Sequence, residues 1–170
     1  MLTLQTKRES ISLTLKQMVR FFGKASGKVD DKGRLVLPAI FRDAMVRGGS
    51  EGMTLVLKKN IQQPCLDLFP AEEWDRRSGL ILDKIDTELS TEDALFWTKY
   101  NDGVFTIVPD TKLGRLNIPS ELLESAGITK EVVFGGVGYK LQIWDADTYK
   151  ANLLSDQDFK DAASKLSARK

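Results

Sequence analysis

Apolar and polar positions alternate over short stretches, and similar stretches recur in the same order in both halves of the chain. In the first half, GKVD and RLVLP, ending at Asp30 and Pro38, read as two strands with β-branched and leucine residues. DDKG between them has turn chemistry: aspartate bonds its own backbone and Gly33 accepts positive φ. The predicted element is a β-hairpin. Pro38 then suits the first turn of a short helix, PAIFRDAMV, and two strands follow, MTLVLK and CLDLF. In the second half Pro119 and Ser120 open the helix SELLESAG, which Gly127 closes at the C′ position. The strands EVVFGG and KLQIWD come next.

The two halves therefore align. Gly33, Arg34, Leu35, Leu37 and Pro38 lie over Gly114, Arg115, Leu116, Ile118 and Pro119, and Phe41 falls on Leu122. Further along, CLDLFPAEEW pairs with KLQIWDADTY, the first copy holding extra residues in the polar KKNIQQP loop. Two copies are too few for a solenoid, so a pseudo-symmetric pair is the better reading.

Between the copies the texture changes. Trp74, Ile81, Ile85 and Leu89 fall near helical spacing. Ser90-Thr91-Glu92-Asp93 resembles a capping box opening a second helix with Leu95, Phe96 and Tyr100. Two helices are expected to connect the copies, with these aromatics packed in a core rather than stacked on bases. The tail from Ala151 onward reads as a further surface helix.

Charge changes the picture more than composition does. The net charge is +1, but residues 1–34 hold eight lysines and arginines against Glu9, Asp30 and Asp31. A basic face on an acidic remainder suits an anionic partner. Histidine is absent, which removes the usual general base, the Ser-His-Asp triad and every histidine metal site. Cys65 is the single cysteine; it fits a reducing compartment and, within CLDLF, a small buried residue rather than a nucleophile. GGVG at Gly135–Gly138 lacks the lysine of a phosphate-binding loop. No catalysis, cofactor, metal, signal peptide or membrane span is expected.

ASGKVDDKGRLVLPAIFRD, QQPCLDLFPAEEWD and LGRLNIPSELLESAGITKEVVFGGVGYKLQIWDADTY together resemble the MraZ family, whose members carry two tandem SpoVT-AbrB-like modules. The resemblance runs from about Phe22 to Tyr149. It implies a mixed α+β, β-rich fold of two pseudo-symmetric swapped-hairpin β-barrel modules with connecting helices. Residues 1–21 become an N-terminal extension, 22–74 the first module, 75–100 a helical connection, 101–149 the second module and 150–170 a C-terminal helix or tail. Members of the family usually start close to this point, which makes Met18 a candidate initiator and residues 1–17 either a start-site artefact or a disordered basic arm.

The function implied is that of a sequence-specific DNA-binding transcriptional regulator, often a repressor, of the division and cell-wall gene cluster that includes its own gene. Its partners would be G-rich direct repeats in double-stranded DNA and further copies of itself in a homo-oligomeric ring, in the cytoplasm and on the nucleoid. The alternative is a ring-forming scaffold whose hairpins bind a protein partner.

Lys32 and Lys112 near the hairpin tips, beside Arg34 and Arg115, are the candidate DNA-binding residues: lysine as a point charge on phosphate, arginine as a fork for O6 and N7 of guanine. Gly33 and Gly114 are turn requirements. The family's Asp-x-x-x-Arg motif is intact as Asp30 to Arg34, where the aspartate either orients the arginine or merely pins the hairpin register. In the second copy Thr111 stands where the aspartate belongs and Asp110 sits one position early. Either that turn is one residue longer or the second module lacks the pair.

Overall fold

The computed structural model describes residues 3–4, 19–48, 54–110 and 113–170. Met18 and Lys112 lie outside the described residues, as do residues 5–17 of the extension.

The first copy contributes β1 (Lys24–Lys28), β2 (Arg34–Val36), α1 (Ala39–Arg47), β3 (Leu55–Lys59) and β4 (Leu66–Pro70). Two helices follow, α2 (Ala71–Leu82) and α3 (Thr91–Asn101). The second copy contributes β5 (Phe105–Ile107), β6 (Arg115–Asn117), α4 (Ser120–Ser125), β7 (Glu131–Gly136) and β8 (Leu141–Asp145), with α5 (Ala146–Ala151) and α6 (Asp156–Ser167) after it. The fold is mixed α and β, and among the described residues helix outnumbers strand.

Strand pairing runs between the copies. One antiparallel sheet has the order β1-β7-β8-β4-β3-β5, and β2 pairs with β6 in a separate two-stranded ribbon. The order is palindromic: β1 lies on the other copy's β7, β5 lies on the other copy's β3, and β4 meets β8 at the centre. A pseudo-dyad thus passes through the facing pairs Asp67–Gln142 and Leu35–Leu116. The pairings among the described residues form an open sheet and a ribbon rather than closed barrels.

The local hairpin expected in the first copy is accordingly replaced by a turn whose two strands diverge. Asp30 N–H donates to the Arg34 carbonyl, and pairing within the copy stops there. Val29 N–H goes instead to the Lys130 carbonyl and Leu37 N–H to the Gly114 carbonyl. The reason lies in burial. Leu35, Leu37, Leu116 and Ile118 are almost wholly enclosed, and a lone two-stranded hairpin has no second layer to cover them. Exchanging strands lets both copies share one core.

The sheet has two covered faces, set by side-chain alternation. Leu55 and Leu57, Leu66 and Leu68, Leu141 and Ile143 face the main core beneath the ribbon. Val56 and Phe69 face a smaller aromatic core with Trp74 and Tyr100 from α2 and α3. Val19 and Phe21, assigned by sequence to the extension, are buried in the main core, and Phe21 exchanges two backbone hydrogen bonds with Gly138.

Helix ends follow their caps. Pro38 and Pro119 precede α1 and α4 by one position, in extended conformation, rather than occupying the first turn. Gly127 at φ +64° ends α4: its N–H bonds the Glu124 carbonyl, and Ile128 N–H bonds the Leu123 carbonyl, a Schellman closure. Ser90 Oγ accepts from Asp93 N–H as the capping pattern requires, while the Asp93 carboxylate turns to Asp86 N–H. The helical run ends at Leu82, and the Asp86 carboxylate accepts from Glu88 N–H and Leu89 N–H in a separate turn that leaves Leu89 exposed instead of on a buried stripe. On α3 the buried face is Tyr100 with Trp97, whereas Leu95 is exposed.

Candidate nucleic-acid interface

The ribbon positions both candidate turns. Arg34 faces Asn117, Leu35 faces Leu116 and Val36 faces Arg115. Because the two leucines point into the core, Arg34, Val36, Arg115 and Asn117 share the outward face. Arg34 and Arg115 are diagonal neighbours there, about 7–8 Å apart at the backbone. Two turns from distant parts of the sequence therefore deliver their arginines to a single small surface.

Each turn is closed in the same way. In the first, Gly33 N–H donates to the Asp30 carbonyl at 3.0 Å; in the second, Gly114 N–H donates to the Asp110 carbonyl at 2.7 Å. Leu37 N–H to the Gly114 carbonyl is mirrored by Ile118 N–H to the Gly33 carbonyl. Gly33 and Gly114 sit at φ +74° and +64°, which explains the residue type at both positions.

The carboxylates hold the arginines. Asp30 Oδ2 accepts from Arg34 Nε at 2.7 Å, while Oδ1 accepts the backbone N–H groups of Lys32 and Arg34, each at 2.9 Å. The Arg34 backbone N–H, the Arg34 guanidinium and the Lys32 N–H hold the Asp30 carboxyl below its usual range. In the second turn Arg115 Nη2 lies 3.1 Å from Asp110 Oδ2. The second turn is thus one residue longer and keeps its Asp–Arg pair. Asp110 is a functional candidate that fixed spacing passed over; the acid ahead of LGR was its only signal.

The turns differ in their neighbours. Arg42 on α1 lies against Gly114: a Cβ at that glycine would stand 2.8 Å from Arg42 Cδ. At the equivalent place the first turn has Leu123, 3.8 Å from a Cβ built on Gly33. The repeat alignment could have found Arg42, since it falls on Leu123. Arg42 Nε is buried without a hydrogen-bond partner among the described residues.

Residues expected to be structural are so placed. Cys65 is buried, and desolvation pushes its thiol up to about 12, far from a reactive thiolate. Trp74 and Tyr100 stack at 5.5 Å inside the smaller core. Among the described residues no helix is long and apolar enough to cross a membrane.

Comparison with known proteins identifies the family. A family model described as "MraZ protein, putative antitoxin-like" matches residues 21–93 and 103–169. A protein named transcriptional regulator MraZ from Christiangramia forsetii is 34% identical over 154 residues, covering 88% of this chain and 94% of its own. Proteins of the same name from Bacteroides fragilis and Frankia alni are each 36% identical, over 130 and 141 residues. These alignments cover 75% and 81% of this chain, and 78% and 90% of theirs. The relatives are named as regulators rather than enzymes, in line with a chain that lacks histidine and buries its single thiol. With both of its halves matched in tandem, the chain belongs to the MraZ family of transcriptional regulators.

Proposed function

We propose that the chain regulates transcription by binding double-stranded DNA, reading direct repeats upstream of its own gene as a homo-oligomeric ring and repressing the division and cell-wall gene cluster. The observation that carries this reading is the pair of carboxylate-held arginines on one face of the ribbon. An arginine fixed in this way meets the O6 and N7 of guanine with little orientation left to lose, and a two-stranded ribbon fits a major groove. Lys32 and Lys112 supply phosphate contacts, while Asp30 and Asp110 orient Arg34 and Arg115.

Asp30, Asp31, Lys32 and Arg34 sum to zero charge, so one turn gains little from phosphates alone. Several copies in a ring, set on repeated DNA sites, supply the missing affinity through effective concentration. Such a regulator works in the cytoplasm, on the nucleoid. The near-neutral turns also suit a scaffold that binds a protein partner, and salt dependence separates the two. Fluorescence anisotropy with DNA from upstream of the gene should show tight binding that weakens steeply with salt and is lost on scrambled DNA. Equal affinity for both DNAs would favour the scaffold.

A further inference from the structure

On the sheet face opposite the ribbon lies a cavity of about 380 Å³. Lys58 of β3 points into it. Lys58 is 4% exposed and makes no hydrogen bond or ion pair among the described residues; its Nζ rests 3.7 Å from the Tyr100 ring centroid and 5.5 Å from that of Trp74. Ring faces offer an ammonium electrostatic contact but no acceptor for its three N–H groups.

The surrounding charges do not supply that acceptor. Asp67, the one acid on the wall, is engaged by Lys140 Nζ at 2.9 Å and by Asn60 Nδ2 at 3.0 and 3.1 Å. Arg77 and Lys84 also line the cavity, Arg77 with its Nε 3.7 Å from Glu73 Oε2, so cations outnumber acids around it. Arg77 Cζ stands 3.6 Å from the Tyr139 ring centroid, and its Nε is buried without a hydrogen-bond partner among the described residues. Lys58 faces Asp67 across β3 and β4, but with that carboxylate already engaged by Lys140 and Asn60 the buried ammonium is left without an acceptor of its own, which is costly. Its retention beside open space, between aromatic walls, calls for an anion from outside the chain.

We propose that this cavity binds a small organic anion, a phosphate or carboxylate head on a planar ring, with Lys58 on the head and Tyr100 and Tyr139 beside the ring. The site is separate from the arginine face and does not depend on DNA binding. Burial lowers the Lys58 ammonium to about 8; a bound anion raises it again, so binding near that pH takes up protons.

The test is calorimetric titration of the full chain, without DNA, with phenyl phosphate and with inorganic phosphate. Phenyl phosphate should bind below about 1 mM and at least about tenfold more tightly than inorganic phosphate. Lys58→Met, which keeps the side chain's length, should lose about tenfold or more of that affinity while its melting temperature holds or rises. Lys160→Ala, at an exposed site on α6 outside the cavity lining, should bind as the parent does. Absence of phenyl phosphate binding, or unchanged binding by a folded Lys58→Met, overturns the site. Equal affinity for the two phosphates overturns the planar ligand.

Discussion

Asp30 spends one carboxylate oxygen on the backbone of its own turn and the other on the Arg34 guanidinium. One side chain thereby shapes the loop and aims the cation. Asp30→Asn keeps a partial acceptor but removes the charge that steers the fork. Its expected effect is a split: affinity for scrambled DNA rises, while the preference for the repeats falls by about tenfold, as anisotropy against both DNAs would show. Lys58 gives a second residue-level prediction. Its pKa falls from 10.5 to about 8 on folding, so between those values the unfolded chain holds a proton that the folded chain has released. Stability contributed at this site is lowest below the folded value and rises as pH climbs through the window. Cys65 and Tyr100, raised by burial, act in the opposite direction toward the upper end of this window, so the expected readout is a difference: the urea midpoint of the parent should rise relative to that of Lys58→Met as pH climbs.

At the scale of elements, the ribbon is three facing pairs long, yet it fixes both turns. Leu116→Ala empties a fully enclosed position opposite Leu35. A loss of about 2–5 kcal/mol is expected from denaturant unfolding, and DNA binding should fail at both arginines together. Gly33→Ala adds a Cβ at positive φ, 3.0 Å from the Ile118 carbonyl oxygen. It should cost about 1–2 kcal/mol. Much of this layer was legible from Gly33-Arg34-Leu35 and its echo at Gly114-Arg115-Leu116, because turn residues and alternating leucines are local signals. The partner of each strand was not legible. GKVD and RLVLP are equally good strands whether they pair with each other or across the copies, and only the shared core decides. Lys58 was hidden similarly, since a lysine in MTLVLK reads as a strand edge until its neighbours are known.

On the scale of the whole molecule, the palindromic sheet makes one chain behave as a pseudo-dimer with two nearly equivalent turns. The repeat in the sequence announced that symmetry, and the one-residue shift of Asp110 concealed how far it extends. Light scattering of the full chain should give a mass several times that of the 19.0 kDa protomer; a strictly monomeric species at working concentration would remove the multivalency on which the proposed affinity depends. The most direct test of the account is anisotropy on the upstream repeats with Arg34→Ala and Arg115→Ala in parallel. Two carboxylate-held arginines on one face predict that each substitution weakens specific binding by about tenfold or more, with scrambled-DNA binding less affected. Folded variants that bind the repeats as tightly as the parent would contradict it.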